Sequence, residues 1–428
     1  MEAFDKIPYE VLFRINAYAA DWVALESLFH VSSRVGELFA GEPNSEADPE
    51  AIRLVESILA ENPVMRHELH RHFRMSMRLR QPSLADTSFA EFMARDYSVS
   101  SLTSSPPSLI TRAMLQEMVI IATNIQRLAC ACLTTFLTRL RKVQPRLREY
   151  THGPPFSGAV GTAPYKPHDS GPPSWIEEYR VYRALWHLQL YSDLLVVGDR
   201  LNWPQSDFEY LRTSHVEWNE LQPIAGEEEL KCISECLGSL YCVDVVPTTQ
   251  SPVESDSSDM HLITQVPNAS QLQCKFSVWA PPSPPEIPHN DDDYGSPKDI
   301  WGQGLERSKH NRTATYFRMC RFHNMKYRTK FQVCSIQDWR PWRGLGMPMW
   351  DLCRLYWLGL WPLAHSRGLK WRASPTDDGI DISQAHCLWD GVEEVQYRMS
   401  VFMGARMEME RQEKVERIVE DGHGLDKQ

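Results

Sequence analysis

The chain has 428 residues, 42% hydrophobic and 24% charged, which is the composition of an ordinary globular protein long enough for roughly two to three domains. Its formal net charge of −11 argues against general binding to nucleic acid or to an anionic membrane surface. The 10 Cys follow no disulfide spacing and form no CxxC pair, and Glu2, Asp5, Lys6 and Glu10 interrupt any leader-like apolar run, so the expectation is an intracellular protein, cytoplasmic or nuclear, with reduced thiols.

Residues 7–39 read I-P-Y-E-V-L-F-R-I-N-A-Y-A-A-D-W-V-A-L-E-S-L-F-H-V-S-S-R-V-G-E-L-F. Pro8 suits the first turn of a helix, where a missing N–H costs nothing. Val11, Leu12, Ile15, Tyr18 and Ala19 recur at three- and four-residue spacing and predict one apolar helix face. Asp21 is the expected N-cap of a second short helix with Leu25, Leu28, Phe29 and Val31 as apolar positions. Ser32 or Ser33 caps a third that carries Val35, Leu38 and Phe39. Three helices in about 35 residues bury little core of their own, so this unit must lean on the rest of the chain or on another protein.

Asp48-Pro49-Glu50 combines an N-cap, a Pro at the first helical position and an early acid, and starts a helix to about residue 61 with Ile52, Val55, Ile58 and Leu59 inward. Pro63 opens another, to about residue 80. With His67, His70, His72, Arg66, Arg71, Arg74, Arg78 and Arg80, it is expected to present a basic solvated face. His67-Glu68-Leu69-His70 is not a zinc-protease motif, because Arg71 stands where the second His belongs. The longest helix is predicted over about residues 108–143, where Ile110, Met114, Met118, Ile121, Ile125 and Leu128 begin a stripe wide enough to be covered on most sides. Residues 119–137 within it are apolar enough to suggest a membrane span. Asn124, Gln126 and Arg127 in the middle would be expensive in lipid, so it reads as a buried helix. Cys130 and Cys132 are two apart and face different ways, which argues against joint ligation of a metal.

Residues 150–173 are rich in Pro and Gly and predict a long connection. Ser174 to Glu177 forms a capping box, followed by an aromatic helix to about residue 197 with Trp175, Tyr179, Tyr182, Trp186, Leu190 and Leu194. Arg180, three residues after Glu177, is expected to support its exposed face. Glu227-Glu228-Glu229 starts a further helix with Leu230, Ile233, Leu237 and Leu240 inward. Cys232, Cys236 and Cys242 on or near it lack a fourth ligand and zinc spacing, and read as buried free thiols.

Residues 248–299 turn Ser-, Pro- and Asp-rich, a composition that predicts disorder, with one apolar patch at 274–279 expected as a short strand or docking segment. Ser251, Ser283 and Ser296 each precede Pro, a pattern open to proline-directed phosphorylation. Residues 307–330 mix Arg and Lys with Tyr316, Phe317, Phe322 and Tyr327, a combination used by single-strand binders, but the neighbouring Asp-rich stretch offers an internal partner. Gly344-Leu-Gly346 lacks the third Gly of a dinucleotide loop. Met349 to Leu358 predicts a short helix stopped by Gly359. Trp339, Trp342, Trp350, Trp357 and Trp361 build an aromatic cluster, read either as a second core or as a groove for a peptide or small ligand. Residues 390–419 predict an amphipathic helix that becomes highly charged toward its end.

Ile7-Pro8, Glu10-Val11-Leu12, Ile15, Tyr18, Leu25, Leu28, Val31-Ser32 and Leu38 together resemble the F-box, the short helical module that docks a substrate receptor onto the Skp-type adaptor of an SCF ubiquitin ligase. Two later blocks, Pro173 to Trp186 and Trp342 to Asp351 with Arg354 and Leu355, resemble those of a large group of ascomycete proteins that often begin with an F-box-like module. That group has no agreed molecular activity and supplies no catalytic residues. The resemblance implies that Ile7, Pro8, Val11, Leu12, Ile15, Leu25, Leu28 and Val31 contact the adaptor, while the helical body selects an unknown protein substrate.

The expected fold is therefore mainly α: a multi-helical body with an N-terminal three-helix F-box-like module and long irregular insertions. Residues 1–45 form the module, 46–246 the helical body, 247–299 an insertion, 300–389 the Trp-rich part of the body, and 390–428 a helix and tail. No nucleophile–base pair, metal cluster or phosphate loop stands out, so an enzyme is not expected and no cofactor is implied. The alternative is a helical scaffold or ligand-binding module with a degenerate F-box, whose apolar side chains would be buried against the chain's own body.

Overall fold

A computed structural model describes residues 6–81, 87–95, 110–143, 171–213, 223–241, 265–272, 275–284 and 340–351, with residues 84, 97, 102, 354, 355 and 358. The expected connection at 150–170, Cys242, the basic segment 307–330, Trp339, Trp357, Trp361, and the tail 390–428 lie outside them, as do Ser251 and Ser296. The architecture is mainly α, with 11 helices and no strand among the described residues. The chain divides into two units: Met1–Thr135 with Pro173–Pro285, and Phe136–Pro172 with Glu286–Gln428.

In the first unit, α1 (Tyr9–Ala19), α2 (Trp22–Val31) and α3 (Ser33–Phe39) make the N-terminal module. Its caps are those the spacing predicts. The Asp21 carboxylate accepts from the Ala24 N–H at 2.6 Å, and the Ser32 hydroxyl accepts from the Val35 N–H at 3.3 Å. α4 (Pro49–Glu61), capped by Asp48, packs against α1 and α3 and buries Ile52, Val55, Ile58 and Leu59.

The single helix expected from Pro63 to about residue 80 is broken. A π-helical turn, Met65–Leu69, precedes α5 (His70–Leu79), and Glu68 inside it takes φ 78°, a left-handed conformation costly for a side-chain-bearing residue. The break is held from a distance. Trp175 Nε1 donates to the Pro63 carbonyl and the Tyr179 hydroxyl to the His67 carbonyl, each at 3.0 Å, and the His67 ring stands edge-on to Trp175. The basic face is solvated only in part, with Arg66 exposed. His72 is buried, Arg74 pairs with Glu56 at 3.2 Å, and Arg80 forks onto Asp193 at 2.9 and 3.0 Å while also meeting Glu117 at 2.8 Å.

The remaining helices are α6 (Phe89–Met93), α7 (Arg112–Lys142), α8 (Trp175–Arg200), α9 (Gln205–Thr213) and α10 (Pro223–Tyr241). α8 is the centre of the first unit: α5, α9 and α10 all pack on it. Glu177 and Arg180, expected on an exposed face, are buried there, because α8 is covered nearly all round until its last turns, where Val196 is 68% exposed. Cys130, Cys132, Cys232 and Cys236 are buried. α6 and α9 were not foreseen from periodicity. Phe89 of α6 meets Tyr210 of α9 at 6.1 Å and the Trp203 ring at 5.3 Å, and the Trp203 indole donates to the Thr87 carbonyl at 3.1 Å. Gly198 permits this approach, since a Cβ there would lie 2.8 Å from Trp203.

In the second unit, α11 (Arg340–Gly344) leads into a tight turn. Met349, Trp350 and Asp351 are not helical, and among the described residues the Leu355 and Leu358 N–H groups donate to the Asp351 and Arg354 carbonyls at 3.1 and 2.9 Å; the other residues of the helix expected over Met349 to Leu358 lie outside the described residues. Gly346 sits at φ 71° against Phe136, where a Cβ would come within 2.6 Å of the ring. Trp350 is edge-on to Phe136 and donates to the Leu345 carbonyl at 2.8 Å. The Arg354 guanidinium covers Trp350 and donates to the Gly171 and Pro172 carbonyls at 3.1 and 2.7 Å.

Candidate interaction surface

The turn between α1 and α2 is pinned to the body by polar side chains from later in the chain. Ala20 caps the C-terminal end of α1 in a left-handed conformation with φ 43°, and its carbonyl accepts from Asn62 Nδ2 at 2.7 Å. The Trp22 N–H donates to Gln126 Oε1 at 3.1 Å, and the Trp22 carbonyl accepts from the Thr123 hydroxyl at 3.0 Å. Gln126 Nε2 also donates to Asp21 Oδ2 at 2.7 Å. The Trp22 ring stacks on Phe73 at 5.4 Å, and Phe73 meets Trp186 of α8 edge-on at 5.8 Å. Trp22 thus anchors the module, a role the sequence signalled only through its aromatic bulk. Asn124 and Gln126, polar interruptions in an apolar helix, were the visible sign that α7 had polar partners to meet.

With the turn fixed, the apolar stripe of α1 divides. Leu12 points inward at 2% exposure, whereas Val11, Ile15 and Tyr18 are 44%, 48% and 90% exposed. On α2, Leu25 is buried, Leu28 half-buried and Val31 exposed. Ile7 is half-buried and Pro8 exposed. The residues expected to meet an adaptor are therefore not one face: Leu12 and Leu25 belong to the core, and Pro8, Val11, Ile15 and Val31 face water. Tyr18, in the stripe but outside the expected contact set, is the most exposed large apolar side chain of the group. Flanking aromatics are shielded by cations, with Arg34 over Tyr9 and Arg53 over Phe13, each at 5.2 Å. Tyr18 has no such cover among the described residues.

Of the Trp residues expected to form a groove, Trp342 and Trp350 are fully buried in the second unit and act there as packing.

Several buried polar groups lie within the first unit. Arg183 of α8 meets Glu229 of α10 through two hydrogen bonds, 3.0 and 2.5 Å, with both side chains sealed from water. Burial lowers His72 to about 3, helped by His187 and Arg71. Burial raises the Glu178 carboxyl to about 8, against the opposing hydrogen bond from the Trp279 indole. Burial also raises the Cys130 thiol to about 12, so it is not a nucleophile at neutral pH. Among the described residues no group of His, Cys, Asp and Glu is arranged to hold a metal ion.

Compared with known proteins, the chain matches no family model, no characterised protein and no solved structure.

Proposed function

We propose that the chain is a protein-interaction subunit, an F-box-like substrate receptor of an SCF-type ubiquitin ligase. The observation that most supports this reading is the outward edge of α1, where Val11, Ile15 and Tyr18 lie on one side of a helix whose other side is anchored in the body. A row of large apolar side chains held in water on a rigid support is what a docking helix needs, because little ordering entropy remains to be lost on binding. A Skp-type adaptor would take that edge, with Pro8 and Val31 extending it, and the helical body would select the protein substrate inside the cell.

The burial of Leu12, Trp22 and Leu25 favours a second reading, a helical scaffold with a degenerate F-box that binds no adaptor. Co-purification with a Skp-type adaptor separates the two. The full-length chain should retain the adaptor, and the double variant Val11→Asp with Ile15→Asp should lose it without a change in melting temperature. Failure of the unaltered chain to hold the adaptor, or equal retention by the variant, would sink the receptor reading and leave the scaffold.

A further inference from the structure

Between α7 and α8 the first unit contains a slot crossed by residues 275–284. Trp279 is read there at three polar atoms. Its indole N–H donates to Glu178 Oε1 at 2.7 Å, its carbonyl accepts from Gln126 Nε2 at 3.1 Å, and its main-chain N–H and carbonyl both lie against Cys130 Sγ, at 3.5 and 3.6 Å. Pro281 is buried beside it.

The rest of the segment adds a weaker, apolar hold through the buried Pro281 and the half-buried Phe276 and Pro284. Lys275, Ser277, Val278, Ala280, Pro282 and Ser283 are exposed, and the stretch forms neither helix nor strand. A segment fixed by one aromatic anchor, with its main chain bonded to side chains rather than to a ladder, belongs to the low-stability end of local opening. The slot keeps spare polar capacity as well. The second carboxyl oxygen of Glu178 and the hydroxyl of Tyr182, one turn further along α8, are buried without a hydrogen-bond partner. An aromatic anchor met by converging polar groups and continued by Pro281-Pro282-Ser283-Pro284 has the chemistry of peptide recognition. A Pro-rich continuation is biased to the polyproline II conformation before it binds, so docking orders it at small entropic cost.

We propose that this slot is a receptor for an extended peptide of a partner protein, anchored by a tryptophan and continued by prolines, and that residues 275–284 occupy it in cis as a displaceable strap. The slot shares no side chain with the exposed edge of α1, so this assignment stands apart from adaptor docking. A tether holds the strap at millimolar effective concentration, and a partner peptide must outcompete it.

A fluorescently labelled synthetic peptide of residues 275–284, titrated by anisotropy into the full-length chain, tests this. The Trp279→Ala chain should bind the peptide saturably. The unaltered chain should bind it about tenfold more weakly or worse, because its own strap competes. The same peptide with its Trp replaced by Ala should lose about tenfold or more in affinity. Hydrogen exchange gives an independent reading on the unaltered chain: excess isotopically labelled peptide should speed exchange of the chain's own amides at 275–284 while α7 and α8 stay protected. The proposal is overturned if a Trp279→Ala chain of normal helical content fails to bind the peptide, or binds both peptide versions equally. It is likewise overturned if excess peptide leaves exchange of the strap unchanged.

Discussion

Glu178 and His72 are both buried in the first unit, and burial acts on them in opposite senses. The carboxyl of Glu178 moves from an ordinary 4.5 up to about 8. Between those values the folded chain keeps a proton that the unfolded chain has released, so the stability from this group is present below pH 4.5 and lost as pH rises through 8. His72 moves from 6.5 down to about 3, so the unfolded chain holds the extra proton in that window. Its contribution is present above pH 6.5 and lost as pH falls through 3. Melting temperature measured from pH 4 to pH 9 should therefore decline less toward alkaline pH in Glu178→Gln, and less toward acid in His72→Gln. Unchanged slopes in either variant would refute the assignment for that group. At this scale the sequence marked which residues needed an explanation, such as Asn124 and Gln126 in an apolar helix. It did not mark their partners, which lie about a hundred or more residues away: Trp22, Asp21 and the strap for Gln126, and Pro267 and Ala269 for Asn124.

Among the elements, α8 departs furthest from an amphipathic pattern, and its contact with α10 includes the sealed Arg183–Glu229 pair. Removing one partner of a sealed ion pair strands the other charge. Arg183→Met alone should cost about 3–5 kcal/mol, and adding Glu229→Leu should recover much of that loss. Denaturant unfolding of the single and double variants checks this; a double variant as weak as the single would refute it. Periodicity and capping found α1 to α4, α7, α8 and α10 because long stripes and cap residues are local signals. It missed α6 and α9 because each is short; α6 does carry a local signal, the capping box of Ser88 and Glu91, that was passed over. It missed the break at His67 and Glu68 because the groups that hold it, Trp175 and Tyr179, lie 112 residues further along. On α1 it found the apolar positions but merged two faces into one, since only packing against α4 decides that Leu12 turns in and Ile15 turns out.

For the molecule as a whole, the N-terminal module is part of the first unit's core. Trp22, Phe73 and Trp186 form a continuous aromatic contact from α2 through α5 to α8. Truncating a buried Trp of this kind to Ala costs about 3–5 kcal/mol. Deletion of residues 1–40 should therefore lower the melting temperature by several degrees, whereas Ile15→Asp on the outer edge should stay within about 0.5 kcal/mol of the unaltered chain. Calorimetry decides it: a deletion that melts like the full chain would show that the module folds apart from the body. Loss of adaptor binding on deletion would then report the body's collapse as much as the docking edge, which is why surface substitutions are the sharper probe.

The interleaved connectivity of the two units has a consequence for synthesis. The first unit is built from Met1–Thr135 and Pro173–Pro285, and the second takes the stretch between them and the remainder. A ribosome delivers residues in order at roughly 5–20 per second, so on the order of 10–30 s separates Trp22 from Trp186. From the synthesis of Phe73 onward, Trp22 and Phe73 have both been made while the helix that closes over them has not. A nascent chain stalled after α7 holds neither unit entire, and cellular quality control would meet it as an unfinished polypeptide rather than as a folded half.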